Sequence, residues 1–208
     1  MARPVQFPAA MKTTMLAAAL ALLALAGSSR ADPLADRTHK LIETFKAVKA
    51  PPEGGKLSAD EEAANAKTFA ALDAFFDFAT FGAECLGPSA GKMSVPQAKE
   101  FKEHLMQILR RRGYRNGGAA FREGVITESK PAERGSAIAV PIKVSFPKQD
   151  VAMDVEFVWS KAGKIVDLVL DGDSLAKDTR NQVGRIVAKN GADDLLRRVA
   201  EKQKEAEK

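Results

Sequence analysis

The chain has 208 residues, a formal net charge of +5 and one cysteine, and 45% of its residues are hydrophobic. A single cysteine excludes an internal disulfide, and two histidines argue against a histidine-based zinc site or a histidine base. The length is sufficient for one domain with its own hydrophobic core after a short leader.

Residues 1–31 have the pattern of a secretory signal peptide. The apolar run "TTMLAAALALLALAG" follows basic residues, and the small residues Ser29 and Ala31 suit cleavage after Ala31. The run is shorter than the roughly 20 residues that a membrane-spanning helix needs, and Met11 is an alternative start. Because three basic residues and no acid lie in this leader, its removal lowers the net charge from +5 to +2. We therefore expect an exported protein that does not bind nucleic acid.

Three helices are predicted after the leader. The first has Asp32 as a possible N-cap. The second begins with a capping box at Ser58, runs to Phe81, and is apolar on nearly every side at its end. The third begins with a capping box at Ser94, and the glycines of "NGG" at 116–118 are expected to end it.

The pattern then changes to period two, which is typical of strands with one buried face. Four antiparallel strands are predicted, in "REGVITESK", "SAIAVPIKVSF", "VAMDVEFVW" and "IVDLVLDG". Two helices follow, with Gly191 at the C-cap of the first, and residues 201–208 form a charged flexible tail. The order of elements predicts one α+β domain over residues 32–200.

The acidic stretch "DLVLDGDSLAKDTRNQV" at 167–183 raises the question of a metal or catalytic site. No frame supplies the ligands that a calcium loop of the EF-hand type needs. We interpret the stretch as turn chemistry, in which Gly172 bends the chain and Asp173 and Ser174 offer oxygens to backbone donors. The strand alternation places Asp167 on the solvent side.

Motifs of catalysis are missing from the sequence: it contains no G-x-S-x-G, no phosphate-binding glycine loop and no C-x-x-C. We therefore predict no enzyme activity, no catalytic residue, no metal site and no cofactor. Cys85 is predicted to be a buried structural thiol. Four arginines are interpreted as a solvated face, or else as contacts to lipid phosphates or an acidic partner: Arg110, Arg111, Arg112 and Arg115.

Several segments together resemble the MlaC family. "IVDLVLDGDSL" followed by "AKDTRNQVGRIVAKNGADDLLRRV" is similar to its C-terminal signature, in which D-V-x-x-x-G-x-S-L leads into a helix with R-x-Q. "FFDFATFGAECLG" resembles the family's F-D-F segment ending in Leu-Gly, and "SVPQAKEFKEHLMQIL" its next helix. The similarity covers residues 34–200. The chain departs from the pattern at "PSAGKM", where the family has a bulky residue, and at Thr179, where it has an aromatic.

The resemblance implies a periplasmic phospholipid carrier, from a family also named for toluene tolerance. The implied fold is α+β, with N-terminal helices, a curved antiparallel sheet of about four strands and C-terminal helices that enclose an apolar cavity. The implied partners are phospholipid as cargo, an inner-membrane MCE-type ABC transporter and an outer-membrane lipoprotein complex, and the carrier itself is expected to be a monomer. The cargo could also be another apolar molecule, such as a hopanoid or a quinone.

A lining for the lipid pocket follows from the apolar faces taken together with this resemblance. One sheet face and a helical wall contribute to it, although a packed core has the same sequence pattern. Arg180 is predicted to anchor the "DGDS" turn. The predicted lipid-binding residues are Phe75, Phe76, Phe101, Leu105, Leu109, Ile138, Val140, Ile142, Val144, Val155, Phe157 and Trp159.

Two other functions remain open at this point. An exported enzyme on a cone-shaped α+β scaffold would need polar groups inside the cavity, with Asp154 and Glu156 turned inward against the strand alternation. An exported interaction protein would have a filled core and no ligand. A deep apolar tunnel, a polar pocket and a dense core distinguish the carrier, the enzyme and the interaction protein.

Overall fold

The computed structural model describes residues 33–52 and 55–206, so the predicted signal peptide and the N-cap at Asp32 lie outside the described residues. Within them, helices precede and follow one antiparallel sheet, and the predicted α+β class is confirmed. A 3₁₀ helix (Gly87–Lys92) and a π-helix (Leu109–Gly113) connect some of the α-helices. The α-helices are α1 (Pro33–Lys46), α2 (Ala59–Asp73), α3 (Phe78–Leu86), α4 (Val95–Ile108), α5 (Tyr114–Glu123) and α6 (Leu175–Ala206).

The sheet has six strands, all antiparallel, in the order β1-β3-β4-β5-β6, with β2 beside β1 on the same edge of β3. The register of β3 and β4 runs from Ile138 opposite Trp159 to Phe146 opposite Val151. The sheet has two more strands than the predicted four. The additional strands, β2 and β6, are too short to show a period-two pattern. The strands are β1 (Val125–Glu128), β2 (Ala132–Arg134), β3 (Ala137–Phe146), β4 (Val151–Trp159), β5 (Ile165–Leu170) and β6 (Asp173–Ser174).

The second predicted helix is interrupted after Asp73, so the prediction of one helix up to Phe81 is wrong. Phe76 forms a parallel bridge with Ile165 of β5. The Ile165 N–H donates to the Phe75 carbonyl over 2.8 Å, and the Asp77 N–H donates to the Ile165 carbonyl over 2.9 Å. These long-range bonds satisfy the backbone groups that a continuous helix would have used.

Gly117 and Gly118 do not end a helix, because α5 continues through them to Glu123. They allow α5 to approach α1 closely. A Cβ on Gly118 would lie 2.8 Å from the Phe45 carbonyl oxygen and 2.9 Å from Val48 Cβ. The absence of a side chain therefore serves helix packing here rather than helix termination.

Two hydrophobic clusters form the interior. The first packs α1, α5 and the end of α2 against the inner face of the sheet, and the second joins α3, α4 and α6. Asp154 and Glu156 pair in register with Lys143 and Pro141 and alternate with the core residues, so they lie on the outer face. The inward orientation that an enzyme would need is therefore not observed at these two positions.

The last helix bends at Gly191, whose φ of 84° and ψ of 176° are open only to glycine. The two helices predicted on either side of it are therefore confirmed as the two halves of α6, and the second half continues to Ala206, through most of the expected tail. None of the described helices is long and apolar enough to cross a membrane.

Candidate binding groove

A groove of about 630 Å³ lies between α3, α4 and both halves of α6. Its walls are mainly apolar, and the polar residues that line it all lie on α6. Apolar positions three and four residues apart in α4 and α6 create these walls. The apolar lining consists of Phe81, Phe101, Leu105, Ile108, Leu109, Leu175, Val183, Ile186, Leu195 and Val199.

The bend at Gly191 explains how α6 supplies two walls of the groove. Val183 and Ile186 precede the bend, whereas Leu195 and Val199 follow it, and all four line the groove. A straight helix would carry Val199 about 24 Å along its axis from Val183, at 1.5 Å per residue. The change of direction at Gly191 lets both halves border the same space.

The polar edge of the groove is built mainly from the end of α6. Arg198, Glu201, Lys202 and Glu205 border the opening, so the expected tail takes part in the site. Arg198 Nε donates to Asp194 Oδ2 over 2.7 Å. Hydrogen bonds from Arg197 and Arg198 hold the pKa of Asp194 well below its usual range. This pairing fixes Arg198 at the groove's edge.

A much smaller cavity of about 10 Å³ separates the groove from the sheet. Phe81 and Leu109 line both spaces. On its other side the small cavity reaches Phe76, and Ile165 and Leu168 of β5. The side chains of Phe81 and Leu109 are therefore the boundary between the groove and the inner sheet face.

The predicted lipid-binding residues do not all lie together in the structure. Phe101, Leu105 and Leu109 line the groove, and Phe76 lines the small cavity. Ile138 is half-buried near the start of β3. The remaining residues are at most 7% exposed and pack in the first cluster, away from the groove: Phe75, Val140, Ile142, Val144, Val155, Phe157 and Trp159.

The groove residues of α6 were not part of the prediction. Val183, Ile186, Leu195 and Val199 lie on the two C-terminal helices that the sequence predicts, and in the structure they line the groove. The same spacing is typical of any helix that packs on a core. Only the bend at Gly191 indicates that the two halves face one space.

The acidic stretch is a helix start, as interpreted, but the role of Asp167 differs from the prediction. Its carboxylate accepts hydrogen bonds from Ser174 Oγ at 2.5 Å and from the Ala176 N–H at 3.0 Å. Ser174 Oγ in turn accepts from the Lys177 N–H at 3.1 Å. The placement of Asp167 towards water was therefore wrong, because the half-buried carboxylate caps α6.

Arg180 also differs from its prediction. Its Nη1 lies 3.4 Å from Glu84 Oε2, and its aliphatic part packs on Gly87, so it ties α6 to α3 rather than anchoring the turn. Cys85 is buried as predicted, and burial raises the pKa of its thiol to about 12. Among the described residues, no group of three or more His, Cys, Asp or Glu side chains is arranged to hold a metal ion.

Comparisons with known proteins agree with this architecture. The family model described as MlaC protein matches residues 40–201. The structure is similar to that of the phospholipid-binding protein from Ralstonia solanacearum in complex with a phospholipid, with a TM-score of 0.63 and 19% sequence identity. The alignment covers 86% of this chain and 100% of that chain, and at this identity it shows a shared fold. No curated protein matches. The family model spans most of the chain and confirms the resemblance seen in the sequence: the protein belongs to the MlaC family.

Proposed function

We propose that this protein is a periplasmic phospholipid carrier that exchanges lipid with an inner-membrane MCE-type ABC transporter and with the outer membrane. Membership of the MlaC family and the phospholipid bound by the similar Ralstonia solanacearum protein support the proposal. The leader pattern of residues 1–31 supports the periplasmic location. The observation that carries the proposal is the apolar groove between α3, α4 and α6.

The size and chemistry of the groove suit acyl chains. Its volume of about 630 Å³ lies within the range of about 300–1,000 Å³ that is common for sites binding small molecules. Each buried methylene contributes about 0.8 kcal/mol, so about ten of them give roughly 8 kcal/mol. That free energy corresponds to a dissociation constant near 1 μM before the costs of binding. A carrier needs affinity of this order, because it must also release its cargo.

Movement of Phe81 and Leu109 would join the groove to the inner sheet face. In the structure these two side chains border both the groove and the small cavity that reaches Ile165 and Leu168. Rotation of the pair would let acyl chains pass from the groove towards Ile142 and Phe157. The predicted sheet lining and the observed groove are then two parts of one lipid path.

Native mass spectrometry on protein purified from a periplasm without detergent tests the proposal directly. We expect a mass increment of about one phospholipid per chain, which lipid extraction would identify. Bare protein that also takes up no labelled lipid from vesicles of phosphatidylethanolamine and phosphatidylglycerol would contradict the carrier function. If a hopanoid or quinone co-purified instead, the groove would remain the proposed site, but the cargo would not be a phospholipid.

Substitution of groove residues with a charged residue provides the second test. We expect Ile186→Glu and Leu105→Glu each to lower lipid retention at least about tenfold, because an ionised carboxylate beside acyl chains is costly to desolvate. Asn181→Glu is the matched control, since it adds the same charge to an exposed position of the same helix. Equal retention by Ile186→Glu and Asn181→Glu would place the lipid elsewhere in the protein.

A further inference from the structure

A second concave region, the arginine cleft, lies between α2 and the segment that joins α4 to α5. Its volume is about 470 Å³, and it shares no lining residue with the groove. Three of the four arginines in "RRRGYR" line it, and apolar side chains such as Leu57 and Phe69 form part of the opposite wall. We define the arginine cleft by Leu57, Phe69, Asp73, Arg110, Arg111 and Arg115.

The cleft and the groove lie on opposite sides of the same helical segment. At about 100° per residue, positions 105, 108 and 109 point to one side, and positions 107, 110 and 111 point to the other. The first set lines the groove and the second set lines the cleft. A ligand in the cleft is therefore separate from acyl chains in the groove.

One of the three arginines is already paired. Arg110 donates to Asp73 from Nε over 3.0 Å and from Nη2 over 2.6 Å, which is a two-point ion pair. Asp73 also accepts from the Tyr114 hydroxyl over 2.9 Å. The carboxylate therefore holds Arg110 in position and balances its charge.

Arg111 and Arg115 have no such partner among the described residues. Glu62 also borders the cleft, but it forms no ion pair with either of them. Arg115 Nε is buried, and it donates no hydrogen bond to any of the described residues. A buried N–H donor on a charged group is costly when it has no acceptor, so this geometry favours an anion that enters the cleft.

We propose that the arginine cleft binds a phosphate group through Arg111 and Arg115. The guanidinium group presents planar pairs of N–H donors that match two oxygens of a phosphate. The apolar wall at Leu57 and Phe69 faces the organic part of a phosphate ester. A phospholipid headgroup and a soluble phosphate share this chemistry, and the site is independent of the lipid-carrier function of the groove.

Isothermal titration calorimetry on the protein as purified from the periplasm tests this site with two probes. Inorganic phosphate represents the soluble source, and glycerophosphoglycerol, a phosphodiester without acyl chains, represents the lipid headgroup. We expect saturable binding of at least one probe at about 1 mM or tighter, which corresponds to about −4 kcal/mol. Binding of the phosphodiester alone identifies a headgroup site, and binding of inorganic phosphate alone identifies a soluble ligand.

Arginine substitutions then locate the binding. Arg111→Gln and Arg115→Gln should each weaken binding about tenfold, as expected for the loss of a charged hydrogen bond. Arg112→Gln is the matched control: it removes the same charge from the π-helix that also carries Arg111, but Arg112 does not line the cleft. Circular dichroism of each variant verifies its folding.

Two results would overturn the proposal. The first is a wild-type protein that binds neither probe. If Arg111→Gln then weakens binding to a transporter component, the cleft recognises an acidic protein surface instead. The second is an equal loss in Arg112→Gln and Arg115→Gln, since this would indicate a general charge effect rather than a built site.

Discussion

Asp73 connects α2 to the helical segment opposite through hydrogen bonds to Arg110 and Tyr114. Its removal would leave a partly buried guanidinium and a buried hydroxyl without their acceptor. We expect Asp73→Ala to lower the free energy of unfolding by about 2–3 kcal/mol, measured by urea denaturation. Glu84→Ala breaks the more exposed ion pair with Arg180 and should cost less than about 0.5 kcal/mol. If both variants lost the same free energy of unfolding, the Asp73 hydrogen bonds would contribute no more than the exposed ion pair.

Asp77 caps α3 and contributes a stability that depends on pH. Its carboxylate accepts from the Thr80 N–H at 2.9 Å and from the Thr80 hydroxyl at 2.8 Å, and these bonds lower its pKa. A lowered pKa in the folded state stabilises the protein above the ordinary aspartate value of about 3.9. This contribution is lost as the pH falls through the lowered value.

The pH dependence can be measured by urea denaturation of Asp77→Ala. At neutral pH we expect the variant to be less stable than wild type by about 1 kcal/mol, the usual value of an N-cap. The difference should shrink as the pH falls from about 3.9 through the lowered pKa of Asp77. Asp77→Asn keeps an uncharged acceptor, so its cost should vary less with pH. A cost of Asp77→Ala that is constant with pH would contradict the charged cap.

Two glycines of the α4–α5 region should respond in opposite directions to alanine. A Cβ on Gly118 would meet backbone and side-chain atoms of α1 at 2.8 and 2.9 Å, so Gly118→Ala should destabilise the protein by about 1–3 kcal/mol. A Cβ on Gly113 would have its nearest neighbour at 3.8 Å, in a helical backbone. Gly113→Ala should therefore stabilise by about 0.5–1 kcal/mol. Thermal unfolding of both variants measures the contrast, and destabilisation by Gly113→Ala would show that the π-helix needs its glycine.

Local patterns predicted most of the elements. The capping boxes at Ser58 and Ser94 mark the true starts of α2 and α4, since each needs only side chains three residues apart. The strand alternation likewise identified the inner face of β3 and β4. The break at Phe76 escaped prediction because it depends on hydrogen bonds to Ile165, which is distant in the sequence.

The binding groove was only partly predictable for the same reason. The helical pattern placed Phe101 and Leu105 on an inner face, and the structure puts both in the groove wall. Their partners on α6 show the same pattern, but nothing local distinguishes a groove wall from a packed core. The difference arises from the direction that Gly191 gives to the second half of α6.

The division of the interior into two clusters suits a carrier. The cluster against the sheet is densely buried, with Trp159, Phe157 and Ile142 at 0–2% exposure, and provides a stable frame. In the cluster of α3, α4 and α6, several apolar residues are only partly buried and border the groove instead. In the proposed function, a lipid in the groove would complete the second cluster, and only acyl chains that pass Phe81 and Leu109 would reach the first.

Cargo should accordingly stabilise the entire domain. A ligand present at about 100 times its dissociation constant raises the free energy of unfolding by about 2.7 kcal/mol. We expect protein loaded with phospholipid to unfold at a higher temperature than delipidated protein in differential scanning calorimetry. Ile186→Glu should lose this increment, whereas Asn181→Glu should keep it. A loaded protein that melts at the same temperature as the delipidated one would argue against binding in the groove.

The labelling rate of Cys85 can report how often the helices of the second cluster separate. Cys85 is the only cysteine of the chain, it is fully buried beside the groove helices, and burial raises the pKa of its thiol. A thiol reagent can therefore react only during moments when α3 separates from its neighbours. The labelling rate of the unmodified protein then measures the frequency of these openings, and no engineered probe is needed. If lipid enters the groove through such openings, a docked transporter component should accelerate labelling, and bound phospholipid should slow it.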